Sequence, residues 1–269
     1  MTAFSREVDA VARAAGAAIR DIARQTHVGA SAKTDGSPVT AADLASHRLL
    51  SGGLSALTPE LPIVSEEDAP GHASPPGHAS PAGHASPAER YWLVDPLDGT
   101  REFLAGNGEY CVCLAIVEGG RPVYGLIHVP HTGQSYYAAA GSGTGFRLDA
   151  PSARPEVLRP RYGIELASAG LRVGVSRRHR GAATEAFLGE LDAPAPVPMG
   201  SALKFCAIAA GTLDVYVRHG PTMHWDTAAG QCLLEAVGLG VYCLDAGAPL
   251  RYDTPTRANP AFLAGPRPS

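Results

Sequence analysis

Lysine is nearly absent from this chain of 269 residues: Lys33 and Lys204 are the only two among 22 Lys and Arg. Arginine cannot replace lysine where a compact point charge is needed, so both lysines are candidates for a site. Any excess of basic charge is missing too. The formal net charge of −4 argues against nucleic acid as a bulk electrostatic partner, so an anionic substrate needs local cations or metal ions. No apolar run reaches the length of a membrane span, and Met1 to Arg24 lacks a signal peptide's apolar core. Five cysteines (Cys111, Cys113, Cys206, Cys232, Cys243) form no CxxC pair, which reads as buried thiols in a reducing compartment. The expected location is cytoplasmic, with peripheral association at the inner membrane as an alternative. The rest is ordinary: 45% hydrophobic and 18% charged residues suffice for a large core, in one large domain or two medium ones.

Phe4, Val8, Val11, Ala15, Ile19 and Ile22 recur at helical spacing, predicting an amphipathic helix over residues 4–25. Thr40-Ala41-Ala42-Asp43 has the form of a capping box ahead of a second helix. Strands are expected at 61–65 and 91–94, and an antiparallel meander from Tyr110 to Phe146, its first hairpin turning at Glu118-Gly119-Gly120. Pro and Arg crowd residues 151–162, which divides the chain into lobes over 1–158 and 159–269. The second lobe alternates strands and helices, so the expected class is α+β to α/β, in layers. Residues 71–88 repeat a six-residue GHASP unit three times. That composition cannot bury a core, and the segment reads as an insertion near the site entrance.

Asp95-Pro96-Leu97-Asp98-Gly99-Thr100 follows the apolar run Tyr91–Val94, and Glu66-Glu67 follows Leu61–Val64. Pro96 is expected to end the strand and turn it. The turn would aim both aspartates, and the Leu97 carbonyl between them, at one point. A turn satisfying its own amides accounts for one aspartate but poorly for two, with Glu66 and Glu67 also at a strand end. Like carboxylates repel unless a cation sits among them, and hard oxygens of this kind suit Mg²⁺. Two or more such ions serve phosphate ester hydrolysis. Gly99 and Thr100 precede a short helix whose exposed N–H groups suit a phosphate, although Thr100 also fits as its N-cap. Asp226 likewise fits as the cap of a helix over 227–237, and Asp43 as an acid in a first helical turn.

The segments VTAAD (39–43), SEED (65–68), YWLVDPLDGTREF (91–103), VGVSRRHR (173–180), GSALKFC (200–206) and WDTAAG (225–230) resemble the inositol monophosphatase superfamily. The resemblance runs over nearly the whole chain, and GSALKFC and SPVTAAD favour its CysQ branch, the 3′(2′),5′-bisphosphate nucleotidases. It implies a layered α-β-α-β-α sandwich. It implies Mg²⁺, two or three ions, held by Glu66, Asp95, the Leu97 carbonyl, Asp98 and Asp226, with Asp43 and Thr100 activating water and Glu67 holding an outer metal–water network. Gly99 and Thr100 amides would cradle the scissile phosphate. His179, Ser201 and Lys204, with Arg177 and Arg218, would lie near the nucleotide and its retained phosphate. The implied substrate is a small bisphosphorylated nucleotide, 3′-phosphoadenosine 5′-phosphate or its phosphosulfate relative, with Li⁺ as inhibitor and a monomer or homodimer as the assembly. An inositol monophosphatase or fructose-1,6-bisphosphatase activity on the same metal site is the alternative. The chain departs from the pattern at Ala202 and Arg178, where serines are often found.

Overall fold

The computed structural model describes residues 2–25, 30–32, 38–68, 90–177, 180–254 and 256–268. The GHASP repeat, Lys33 and His179 lie outside these segments.

Helix α1 (Ala3–Ala23) forms where the apolar period predicts it. Val8, Ala12, Ala15 and Ile19 are fully buried, and the Thr2 hydroxyl caps the start by accepting from the Ser5 amide at 3.1 Å. A short antiparallel pair, β1 (Ala30–Ala32) and β2 (Pro38–Thr40), leads into α2 (Ala41–Leu57). There follow β3 (Ile63–Ser65), a 3₁₀ turn over Glu66–Asp68, β4 (Arg90–Asp98) and the short α3 (Thr100–Leu104). The meander consists of β5 (Cys111–Glu118), β6 (Arg121–Val129), β7 (Gln134–Ala139), β8 (Phe146–Leu148) and β9 (Glu156–Val157). The seven strands β3 to β9 pair in chain order.

The second lobe holds β10 (Arg172–Ser176), α4 (Ala182–Gly189), β11 (Ala195–Met199), α5 (Leu203–Ala209), β12 (Val215–Arg218), α6 (His224–Ala236), β13 (Gly240–Cys243) and β14 (Phe262–Gly265). Its five strands run in the order β11-β10-β12-β14-β13. α1 and α2 cover one face of the large sheet around Trp92, Leu114 and Leu126. α5 and α6 lie between the two sheets, with Phe205, Trp225 and Leu233 in the core. Leu188 of α4 covers the outer face of the small sheet beside Val173 and Val215. The result is the expected α-β-α-β-α sandwich.

One strand differs from expectation in a way that matters. β4 does not end at Pro96: Asp95 pairs with Cys113 and Asp98 with Cys111, so three steps on β4 oppose two on β5. The bulge takes Pro96, which has no N–H, out of the ladder. It also brings Asp95 and Asp98 to one side, where regular pleating would send them to opposite sides. Helix α2 braces the result. Ser46 donates to the Pro96 carbonyl at 2.7 Å, and the His47 ring meets Ser65 at 3.0 Å and Asp68 at 3.5 Å.

His128 on β6 is 1% exposed. Burial first, then Arg13 and Arg20 of α1, lower its pKa to about 3. A base whose folded pKa lies below its unfolded one contributes stability above the unfolded value, about 6.5, and loses it as pH falls toward the folded one. In urea unfolding, moving from pH 7 to pH 4.5 should therefore cost the wild type about 2 kcal/mol more than His128→Gln. Parallel pH profiles for the two proteins would contradict this.

Candidate active site

The bulge, the 3₁₀ turn and the start of α6 deliver their acids to one place. One carboxylate oxygen from each of Asp95, Asp98 and Asp226 lies within 4.8 Å of the others. Asp95 is 1% exposed. Burial, then Glu66, Asp98 and Asp226, push its pKa well above the usual carboxylate range. Asp226 is raised by burial and by Asp98 and Glu66. Burial lifts Asp98 to about 6 against the pull of Lys204 and the Ala202 amide. The cluster is thus short of positive charge. Neutral amides orient it: Leu97 N–H donates to Asp95 at 3.0 Å, Ala202 N–H to Asp98 at 2.5 Å and Met223 N–H to Asp226 at 2.8 Å. Hard oxygen donors, mutual repulsion and fixed orientation fit a divalent cation, so these acidic residues can form a metal site.

Asp226 corrects an expectation. α6 begins at His224, so Asp226 sits in its first turn and bonds back to the Met223 amide rather than capping the helix itself. Asp43 does the same in α2, its Oδ2 accepting from the Thr40 amide at 2.8 Å and the Thr40 hydroxyl at 2.6 Å. The capping and catalytic readings of Asp43 are compatible, because Oδ1 accepts from the Thr100 hydroxyl at 3.1 Å. Thr100 is the first residue of α3 and not its cap; Gly99 takes that position at φ 92°. A Cβ there would sit 3.0 Å from the Glu109 carbonyl and 3.2 Å from Ser201 Cβ, so glycine is needed both for the turn and for the close approach of the second lobe.

A cavity of about 160 Å³ opens beside the acids, lined by Asp98, Arg101, Ser201, Lys204, Arg218 and Asp226 among others. Lys204 is 4% exposed. Its ammonium donates to the carbonyls of Met199 at 3.0 Å and Ser201 at 2.7 Å, and lies 4.6 Å from the Tyr216 ring centre. Burial lowers its pKa to about 8. Ser201 holds a left-handed φ of 49°, a costly conformation for a non-glycine residue that surrounding bonds must maintain. Arg218 spends one N–H on the Pro221 carbonyl at 3.2 Å, and its Nε is buried without an acceptor.

The structure thus brings Asp95, Leu97, Asp98, Gly99, Thr100, Asp43 and Asp226 together, with Glu66 near enough to raise three of the acids. Glu67 is buried in the same 3₁₀ turn. Ser201, Lys204 and Arg218 line the adjoining cavity. Arg177 is engaged otherwise, forking onto Glu109 at 2.5 and 2.9 Å and reaching the Pro198 carbonyl. Sequence reasoning missed Glu109, which also accepts from the Gly200 amide at 2.7 Å. It missed Cys111 as well, whose sulfur lies 3.7 Å from Asp98. Neither stands in a motif; only strand register and the meeting of the lobes give them their places.

Residues 3–263 match the inositol monophosphatase family. The chain is 37% identical to the 3′(2′),5′-bisphosphate nucleotidase CysQ of Escherichia coli (strain K12) over 265 residues, covering 95% of this chain and 97% of that one. It is 33% identical to the nucleotidase CysQ of Haemophilus influenzae, over 78% of this chain and 73% of the relative. The crystal structure of CysQ from Bacteroides thetaiotaomicron superposes with a TM-score of 0.75 at 29% identity, covering 99% and 97% of the two chains. Motifs, layered fold and these relatives agree, and the chain belongs to the inositol monophosphatase family.

Proposed function

We propose that this protein is a Mg²⁺-dependent phosphomonoester hydrolase that removes the 3′-phosphate of 3′-phosphoadenosine 5′-phosphate, releasing AMP and phosphate. The phosphosulfate analogue is a second substrate on the same reading. The observation that carries the reaction class is the triad of Asp95, which is buried, and the half-buried Asp98 and Asp226, within 4.8 Å and short of a cation. What favours the substrate is Arg218, whose buried Nε lacks an acceptor in the cavity beside those acids. A second phosphate supplies that acceptor, whereas the hydroxyls of a neutral cyclitol supply no charge. The names of the E. coli and B. thetaiotaomicron relatives point the same way.

Glu66, Asp95, the Leu97 carbonyl, Asp98 and Asp226 would hold two or three Mg²⁺ ions, and Glu67 the more weakly held outer shell. When bound, the ions neutralise phosphate charge and acidify water. The chain's own residues do the rest. Thr100 donates its proton to Asp43, leaving its oxygen lone pairs to accept from water. As that water attacks phosphorus in line, its proton passes to Thr100 Oγ1 and the threonine proton to Asp43 Oδ1. The P–O bond to the ribose breaks, and the departing 3′-oxygen takes a proton from solvent. Gly99 and Thr100 amides cradle the phosphate at the start of α3. Lys204, Ser201 and Arg218 would line the nucleotide side, with His179 assigned there by the resemblance alone, while Arg177 is bound to Glu109 and the Pro198 carbonyl.

Asp95→Asn should lower Mg²⁺-dependent phosphate release on the order of 10²–10³-fold. Because it removes one charge from a repelling cluster, it should also raise the melting temperature of the metal-free protein. Retention of full activity by a folded variant would refute the metal assignment. For substrate choice, Arg218→Ala should raise KM for 3′-phosphoadenosine 5′-phosphate about tenfold or more. Turnover of a single-phosphate ester should stay near wild type. The substrate panel, run with Mg²⁺ and with or without Li⁺, includes inositol 1-phosphate; a wide preference for it would replace the nucleotidase reading with the cyclitol one.

A further inference from the structure

Glu109 occupies the seam between the two lobes, just ahead of the buried Tyr110 and of β5. Its own position is set locally. The Glu109 N–H donates to Asn107 Oδ1 at 2.9 Å, and Tyr110 packs edge-on against Phe103 of α3 with ring centres 5.3 Å apart. From there the carboxylate crosses to the second lobe. Its Oε2 accepts from the Gly200 amide at 2.7 Å and from Arg177 Nε at 2.9 Å, while its Oε1 accepts from Arg177 Nη2. That Nη2 also donates to the Pro198 carbonyl at 3.0 Å, so one ion pair holds the chain on both sides of Met199. The approach is close: a Cβ on Gly200 would lie 2.9 Å from the Glu109 carbonyl oxygen and 3.1 Å from the Glu109 Cβ. Glycine at 200 lets the carboxylate reach the amide.

A partly exposed arginine–glutamate pair adds little to stability by itself. This one differs because its carboxylate also takes a backbone amide, in a turn that touches the acidic cluster. Gly200 precedes Ser201, whose φ of 49° is costly for a residue with a side chain and persists only where the surroundings enforce it. Ala202 follows, with its N–H on Asp98 Oδ2. Lys204 holds the carbonyls of Met199 and Ser201 from one side, and Glu109 holds the Gly200 amide from the other. We propose that Glu109 is a positioning residue: through the Gly200 amide it fixes the 199–202 turn, and so keeps the Ala202 N–H on Asp98 and Ser201 at the wall of the cavity. A charged acceptor binds an N–H more strongly than a neutral one, and the Arg177 fork keeps the carboxylate from rotating away. The consequence for catalysis rests on the hydrolase reading, in which Asp98 is one of the Mg²⁺ ligands; the contacts themselves lie within the chain.

The test compares Glu109→Ala, Glu109→Gln and Arg177→Ala with the wild-type chain, and two of its readouts need no turnover. In EDTA, amide hydrogen exchange over residues 199–204 should quicken about tenfold in Glu109→Ala while α1 exchanges as in the wild type. Mg²⁺ binding measured by calorimetry should weaken about tenfold, because Asp98 loses the amide that orients it. Glu109→Gln, which keeps a carbonyl acceptor for Gly200, should recover most of both changes. Arg177→Ala leaves the bond from Gly200 to the carboxylate and should cost under about threefold. In phosphate release, Glu109→Ala should raise the half-saturating Mg²⁺ concentration by the factor seen in calorimetry, with kcat at saturating Mg²⁺ within about twofold of wild type. A fall in kcat at unchanged Mg²⁺ affinity is the signature of a merely structural residue and overturns the proposal. Wild-type exchange over 199–204 in Glu109→Ala, or an effect of Arg177→Ala as large as that of Glu109→Ala, overturns it as well. Should the wild type release no phosphate, the hydrolase reading fails, and the exchange and calorimetric arms still decide the role of Glu109.

Discussion

Repulsion among buried carboxylates is the constraint around which this molecule is arranged. Asp95, Asp98 and Asp226 meet within 4.8 Å, and burial alone would favour their neutral forms. A protein can relieve such a cluster with arginine or lysine, but a built-in cation would compete with a metal. Here Lys204 and Arg218 act only from a distance, on Asp98 and Asp226, and the direct contacts are neutral amides of Leu97, Ala202 and Met223. The cationic side chains are spent elsewhere: Arg177 on Glu109, Arg172 and Arg161 on Asp214, and Lys204 on two carbonyls. No arginine or lysine is in ion-pair contact with the three aspartates among the described residues. The charge deficit is preserved, and with it the demand for a divalent ion.

Holding that deficit in place requires a rigid support, which α2 provides. Its Ser46 takes the carbonyl of the bulge, its His47 ties down the 3₁₀ turn, and Asp43 at its start receives Thr100. One helix therefore sets the positions of both acidic loops and of the Asp43–Thr100 pair. The same backbone device recurs at Asp43 and Asp226: an acid in the first helical turn bonds back to the amide before the helix. One carboxylate oxygen is thereby fixed and the other directed into the site.

What was legible in the sequence follows from how local the cause is. α1 and the α2 cap depend on neighbours a few residues apart, and the spacing of Val8 to Ile19 or Thr40 to Asp43 carries them directly. The acidic cluster was legible because acids at strand ends have few other reasons to gather. The bulge at Pro96 was misread as a strand end, since the proline's missing donor says that pairing fails there but not that it resumes at Asp98. Strand β14 escaped notice because Phe262–Gly265 is short and its antiparallel partners β12 and β13 lie earlier in the chain. Glu109 escaped for the same reason: its partners Arg177 and Gly200 are 68 and 91 residues away.

Those distant pairings join the acidic cluster to the cavity beside it. The turn over residues 198–202 is held from three sides, by Lys204 beneath, by Glu109 and Arg177 across the lobes, and by Asp98, which accepts the Ala202 amide. One of those three is a metal-cluster carboxylate. The backbone that lines the cavity is therefore also a hydrogen-bond donor to the acidic cluster. A shift of this turn cannot change one without moving the other, because Asp98 loses its amide as Ser201 leaves its left-handed conformation. Lys204, with a pKa lowered to about 8, stays mostly protonated at neutral pH, and its ammonium grips two carbonyls of the turn. This gives a physical reason why lysine survives here in a chain that otherwise uses arginine. A planar guanidinium spreads its donors over a wide fork, whereas a compact ammonium can sit under one tight turn and over the face of Tyr216.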